Sequence, residues 1–324
     1  MKALLCRSLG GPETLEVAEI EAPVPGPGEI AIDVEGCGVN FADTLIIQGK
    51  YQVKPELPFS PGMEVAGRVA SLGEGVTGFS VGQTVIGMCG TGGYAERVVL
   101  EARRAKPRPE GIDGVIAAAI PVAYGTAHLG LHQRARLQPG ETLLVHGASG
   151  GVGLAAVEVG KRMGATVIAT ASSADKLKVA GEHGADHLIN YEEGEFRETV
   201  KELTGGRGAD VIFDPVGGDV FDQSVRCIAW EGRLLVVGFA GGRIPQLPAN
   251  LLLVKNFAAM GVFWGAYHDK DPEVVTRSIA TLMDWLAEGA LKPLVSKTYT
   301  LDEAVQALED IAARRATGKL VVTP

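Results

Sequence analysis

The segment Thr142-Leu143-Leu144-Val145, followed at once by His146-Gly147-Ala148-Ser149-Gly150-Gly151-Val152-Gly153, leaves few folds open to this chain. A short, largely apolar run ending in closely spaced glycines predicts a buried strand, a tight turn, and then a helix from Leu154 to about Gly164. Glycines at Gly147, Gly150 and Gly153 allow the turn, a close backbone approach to a pyrophosphate, and a helix packed hard on its strand. The backbone N–H groups of the helix N-terminus then face phosphate oxygens, and the helix dipole favours their charge. The spacing is G-x-x-G-x-x-G rather than the commoner G-x-G-x-x-G.

The residues after the turn narrow the dinucleotide. A second strand, Thr166 to Thr170, ends about 20 residues beyond the glycines, where a site for NAD carries an acid for the ribose 2′-hydroxyl. Here the strand runs into Ala171-Ser172-Ser173, with no carboxylate before Asp175. Ser172 and Lys176 suit a 2′-phosphate, so the expected cofactor is NADPH. Lys176 alone would also serve as the first turn of an exposed helix. Tyr191, after the strand His187 to Asn190, is expected beside the adenine ribose.

At 324 residues the chain is long for one core, and two domains are expected. A net charge of −9 speaks against a nucleic-acid surface, and the short basic run Arg103, Arg104, Lys106 and Arg108 reads as a solvated loop. No apolar stretch reaches the roughly 18 residues of a membrane span, and the amino terminus shows no secretory signal core. Cys6, Cys37, Cys89 and Cys227 are scattered and lack C-x-x-C spacing, which predicts reduced thiols, no zinc-ribbon lobe and a cytoplasmic protein.

The first hundred residues alternate short strands with Gly/Pro turns: Thr14 to Ile20, Glu29 to Glu35, Val65 to Ser71, Thr84 to Ile86 and Tyr94 to Leu100. This pattern predicts a partly closed barrel or folded sheet. One helix interrupts it, Phe41 to Gln48, with Asn40 as its N-cap. From about Pro121 strand and helix alternate, which means βαβ units in a parallel, doubly wound sheet. Its later members are Ala209 to Asp214, a helix to Trp230, Gly232 to Gly238, and Phe257 to Phe263. An amphipathic helix, Pro272 to Glu288, and a closing strand, Lys319 to Val322, follow. Domain boundaries are accordingly expected at 1–121 plus 266–324 for one unit and 122–265 for the inserted other.

Across essentially its full length the sequence resembles the medium-chain dehydrogenase/reductase superfamily, and within it the zinc-free quinone oxidoreductases related to zeta-crystallin. The resemblance is carried by Gly38-Val39-Asn40-Phe41-Ala42-Asp43, Gly49-Lys50-Tyr51, Pro61 to Gly67, Gly92-Gly93-Tyr94-Ala95-Glu96 and His146 to Gly153, with Val236 to Ala240 and Gly261 to Gly265. It implies an α/β fold, a doubly wound parallel Rossmann sheet inserted into a GroES-like, β-rich, partly closed barrel domain. In the zinc-dependent members a cysteine ligand stands where this chain has Asn40, and a Gly-His-Glu where it has Gly62-Met63-Glu64. An amide and a thioether are poor zinc ligands, so no metal is expected. Glu158 stands where the family usually has Gln, and little effect on cofactor binding is expected from it.

The implied reaction is hydride transfer from NADPH to a quinone, without a Lewis acid. An enoyl or alkenal reductase acting on an electron-poor alkene is the alternative, and a non-catalytic NADPH-binding protein a further one. Carried over from the family, Thr126 lies near the phosphates or nicotinamide, Gly150, Gly151 and Val152 lie under the pyrophosphate, and Ser172, Lys176 and Tyr191 surround the 2′-phosphate. Phe239 and Phe263-Trp264 flank the nicotinamide, although composition alone makes the latter pair core. Arg315 resembles an arginine that returns to the phosphates, and equally suits a helix C-terminus. Asn40 orients the nicotinamide ribose or the acceptor carbonyl, or only caps its helix. Tyr51 either donates to a developing oxyanion or stacks on the ring as a rim aromatic. Family members pair through the strand near 256–262, so a homodimer is expected.

Overall fold

A computed structural model describes residues 1–324 and divides them into two compact units, 1–122 with 293–324, and 123–292. The amino-terminal part supplies strands β1 (Lys2–Cys6), β2 (Leu15–Glu19), β3 (Glu29–Val39), β4 (Glu64–Leu72), β5 (Thr84–Met88), β6 (Arg97–Glu101) and β7 (Ala105–Pro107). The hairpin β1–β2 stands apart from the main sheet. β3 is the hub, pairing antiparallel with β4 along most of its length and with β6 through Glu29 to Asp33. Register shifts at Ala31/Ile32 and Val34/Gly36 bend it, which is how one strand can serve neighbours that diverge. The helix Phe41–Ile47 starts where β3 ends.

The inserted unit carries β8 (Thr142–Val145), β9 (Thr166–Ala171), β10 (His187–Asn190), β11 (Ala209–Asp214), β12 (Ile228–Val236) and β13 (Ala258–Gly261). All five pairings are parallel, in the order β10-β9-β8-β11-β12-β13. Counted within the unit this is 3-2-1-4-5-6, the doubly wound order whose switch point lies between β8 and β11. Burial on both faces explains why β8 reads as a nearly unbroken apolar run. The chain then returns through β14 (Val295–Thr300) and β15 (Lys319–Thr323), and β15 joins β3 antiparallel.

Three expectations are corrected here. The helix after the glycine turn is Gly151–Arg162, so it begins at Gly151 rather than Leu154 and the last glycines lie in its first turn. The helix expected to reach Trp230 ends at Cys227, and Ile228 to Trp230 open β12 instead. Residues 266–292 belong with the inserted unit. The helix Pro272–Ala287 turns Val274, Ile279, Leu282 and Leu286 inward, and Ser278 Oγ lies 2.8 Å from His128 Nδ1. Trp285 meets the His128 ring edge-on at 5.5 Å, and Arg162 pairs with Glu288 at 2.8 Å.

Two glycines fix the turn. Gly147 has φ +56, in the left-handed region. A Cβ on Gly153 would overlap the Gly147 carbonyl oxygen, whereas one on Gly150 would find its nearest neighbour at 3.5 Å. Gly153→Ala is therefore expected to cost about 1–3 kcal/mol in urea unfolding, as overpacking does. Gly150→Ala should cost less than about 1 kcal/mol, the scale of a helix-cap change.

Candidate functional site

The inserted unit gathers its glycine turn and neighbouring strand ends at the switch point. His146, at the end of β8, is fully buried between Thr170 Oγ1 and Ser224 Oγ, each 2.8 Å from a ring nitrogen. Ser224 gives its own proton to the Val220 carbonyl at 2.7 Å, so it accepts from Nε2–H and Nδ1 accepts from Thr170. Burial pushes this imidazole down to about 3, and it ties the root of the turn to β9 and to the helix Gly218–Cys227 as a neutral strut. Gly150, Gly151 and Val152 stand at the N-terminus of a 12-residue helix that no side chain caps, so its first N–H groups remain as donors.

Across the switch, Asp214 ends β11 and accepts from the N–H groups of Val216 and Gly217 at 2.8 and 2.9 Å. This shapes a loop that Gly241 N–H bonds at Val216 O (2.7 Å) and on which Phe239 packs beside Gly217. At the end of β9, Lys176 Nζ donates to Ser172 Oγ at 3.3 Å, and Tyr191 N–H donates to Ala171 O at 3.2 Å. Ser172 and Tyr191 thus follow adjacent strand ends, and Lys176 reaches Ser172 from the first turn of the helix Ala174–Glu182, with Asp175 exposed.

Thr126 is buried in the helix Ala123–His128. The pair Phe263-Trp264 divides: Phe263 is 39 % exposed, while Trp264 is 3 % exposed with its indole over Gly125 and its Nε1–H without a partner. Glu158, which sequence reading set aside, accepts from Tyr124 O–H at 2.8 Å and Lys292 N–H at 3.1 Å, and is bonded to His183 Nδ1.

The other unit holds a buried polar cluster. Asn40 is 8 % exposed, and both N–H groups of its amide are taken, by Gly38 O at 3.1 Å and Glu64 Oε1 at 2.8 Å. Its Oδ1 accepts from Lys319 Nζ at 2.8 Å. Lys319 completes its ammonium with Val39 O at 2.9 Å and Glu64 Oε1 at 2.7 Å, and Glu64 Oε2 accepts from Val122 N–H at 2.6 Å. One reading of Asn40 changes accordingly. An acceptor carbonyl needs a donor, and this amide has none to spare. Asn40 is the N-cap of the helix, as expected, and Asp43 completes a capping box, its Oδ2 accepting from Asn40 N–H at 2.9 Å.

Tyr51 is half-buried against the core of this unit, and burial, then the Asp43 charge, raises its phenol. Arg315 gives Nε and Nη2 to Asp310 Oδ1 at 3.0 and 2.5 Å, so a phosphate would have to compete with that carboxylate. Sequence reading missed Glu64 and Lys319 as site residues. The available signal was one charge at the head of each of two apolar strands, Glu64-Val65-Ala66 and Lys319-Leu320-Val321-Val322.

Zinc does not fit these residues. No group of three or more His, Cys, Asp or Glu side chains is gathered as a metal site. Where zinc-dependent relatives have a thiolate, an amide is bound to an ammonium, whose charge would repel a dication.

Comparison with known proteins follows the two units. Residues 26–110 match the alcohol dehydrogenase GroES-like domain, and residues 151–287 match the zinc-binding dehydrogenase family. Quinone oxidoreductase-like protein 2 of Mus musculus is 43% identical over 324 residues, covering 99% of this chain and 92% of its own. The crystal structure of Escherichia coli quinone oxidoreductase complexed with NADPH superposes with a TM-score of 0.93 at 30% identity, covering 100% of both chains. The CurK enoyl reductase superposes with a TM-score of 0.90 at 26% identity, covering 99% of this chain and 98% of its own.

Lys319→Met would leave Glu64, fully buried, without its cation. Loss of one partner of such a pair is expected to lower unfolding free energy by about 3–5 kcal/mol in chemical denaturation. Lys319→Met with Glu64→Gln should recover part of that loss, since no uncompensated charge remains.

Proposed function

The chain belongs to the zinc-free quinone oxidoreductases of the medium-chain dehydrogenase/reductase superfamily, and from that premise we propose that it reduces a quinone with NADPH. The observation that carries the cofactor choice is the end of β9, where Ser172 and Lys176 meet and no carboxylate intervenes. NADPH supplies the hydride, and with it the electron pair that the acceptor takes up. The uncapped N–H groups of Gly151 and Val152, with Gly150 before them, would hold the pyrophosphate, and Lys176, Ser172 and Tyr191 the 2′-phosphate and its ribose. Thr126, Phe239, Phe263 and Trp264 belong to the proposed nicotinamide surroundings, and Arg315 to the phosphate contacts if Asp310 releases it.

Asn40 enters as a positioning residue. Only the second lone pair of its Oδ1 is unspent, which suits a ribose hydroxyl and not an acceptor carbonyl. Tyr51 is the proposed proton donor: as hydride reaches the acceptor, the phenol O–H breaks and its proton passes to the oxyanion formed. A quinone makes this step undemanding, because a hydroquinone anion also takes protons from water. The likeness to CurK enoyl reductase supports the second reading, reduction of an electron-poor alkene, for which carbon must be protonated and Tyr51 matters more.

Strand β13 pairs only with β12, and Ala258, Ala259 and Gly261 are exposed, as are Leu253 and Val254 just before it. A bare edge of this kind invites pairing. A homodimer through this edge is part of the proposal. So is cytoplasmic residence, which the four free cysteines support.

NADPH consumption with a naphthoquinone and with a 2-alkenal, against NADH as control, tests the reading. Fast quinone turnover with NADPH is expected, and Lys176→Ala should raise KM for NADPH about tenfold, the loss of one charge-assisted contact, while leaving NADH unchanged. Equal losses with both cofactors would refute the 2′-phosphate site. For the dimer, sedimentation of the unaltered protein should give twice the mass of one chain, and Ala259→Lys on the free edge should give a monomer.

A further inference from the structure

The buried group least accounted for by the fold is Asp43. It is fully buried in the helix Phe41–Ile47, and its two oxygens are treated differently. Oδ2 accepts from Asn40 N–H and from the Tyr94 phenol, each at 2.9 Å, whereas Oδ1 is buried with no partner at all. An ionised carboxylate with one bare oxygen in an apolar setting is costly, and protonation relieves it. Burial pushes the Asp43 carboxyl up to about 7. The Asn40 N–H, the Tyr94 phenol and the Lys319 ammonium pull the other way, and Glu64 adds to the rise. The remaining titratable neighbours are Cys37 and Cys89, whose thiols burial holds protonated, and Tyr51, whose phenol burial and then the Asp43 charge raise.

We propose that Asp43 is a positioning residue for proton delivery, its charge state deciding how readily Tyr51 yields its proton to the acceptor. The inference rests on Tyr51 as donor. When Tyr51 gives up its proton, the electron pair of the broken O–H bond stays on the phenolate until water restores the proton. Tyr51 packs against the same buried cluster as Tyr94, the Asp43 partner, so with Asp43 ionised two anions would border one apolar cluster and the transfer is opposed. With Asp43 neutral, the phenolate stands alone. Proton delivery is therefore faster below neutral pH and slower above it, and the effect is larger for an alkene than for a quinone, whose reduced anion also draws on water. Tyr94 sets where the change falls, because its hydrogen bond favours the ionised carboxylate.

The test is the pH profile of kcat with a 2-alkenal, or a quinone where that is the better acceptor, in unaltered protein, Asp43→Asn, Tyr94→Phe and Tyr51→Phe. Unaltered protein should lose about tenfold in rate, the worth of one unit in donor acidity, as pH rises through about 7. Tyr94→Phe should move that step to higher pH, and Asp43→Asn should abolish it and hold the acid-side rate. A step that persists unmoved in Asp43→Asn, with NADPH binding and melting temperature intact, overturns the proposal. Should Asp43→Asn not fold, a step that fails to move in Tyr94→Phe overturns it as well.

Tyr51→Phe separates the two ideas. If it turns over as fast as the unaltered protein, the donor reading fails. The coupling is then read without turnover, by near-ultraviolet difference titration of each protein against its Tyr51→Phe counterpart. The Tyr51 phenol should titrate at lower pH in Asp43→Asn, and an unchanged titration overturns the coupling itself.

Discussion

A lysine ammonium at 4 % exposure can be kept only where three acceptors converge on it, and Lys319 finds them at Val39, Asn40 and Glu64. These belong to the end of β3, the start of the first helix and the head of β4, while Lys319 itself opens β15, some 280 residues away from Val39. The amino- and carboxy-terminal segments are thus locked into one unit by a contact that neither could satisfy alone. The β15–β3 pairing, through Val39, Gly38 and Cys37, runs beside that contact. Desolvating both charges is expensive, and a pair of this kind stabilises chiefly by making every alternative worse. Here the alternative is a sheet lacking its last strand.

The inserted unit uses a neutral group for the comparable task. His146 is as deeply buried as Glu64, yet it joins β8, β9 and a helix through two hydroxyls without any charge. The difference follows from position. His146 roots the turn proposed to receive a dianionic pyrophosphate, and a fixed neutral strut there leaves the local field to the backbone N–H groups and the helix dipole. Glu64 and Lys319 face no such demand, and their charges cancel within 2.7 Å.

Most of the inserted sheet was legible because parallel strands buried on both faces write themselves as short apolar runs between turn signals. β8, β10 and β11 carry the limits expected from the chain itself. The helix start at Gly151 was not legible, since glycine is a poor helix former and its place there is set by the turn. The helix Phe196–Leu203 did carry a signal, Phe196, Val200 and Leu203 at i, i+4 and i+7, but over only eight residues. The true limit of the inserted unit was hidden for another reason: the helix Pro272–Ala287 is plainly amphipathic, and pattern does not say which core receives its apolar face. At the candidate site, residue types at Ser172, Lys176 and Asn40 were visible, but the partners that decide what Asn40 can do lie 24 and 279 residues off.

Those partners also bear on the chemistry. A metal would polarise an acceptor and hold an alkoxide, work that an amide locked between a carboxylate and an ammonium does not do. With both amide N–H groups spent, a fixed geometry is what the cluster can offer, and geometry is enough only when the acceptor is already electron-poor. A quinone meets that condition through its own conjugation, and its reduced anion needs only a proton. Tyr51 remains the proposed donor among the residues singled out in this unit, and burial, then the Asp43 charge, raises its phenol. On that proposal, replacing ligands by a self-satisfied cluster moves control of the reaction from Lewis acidity to proton supply.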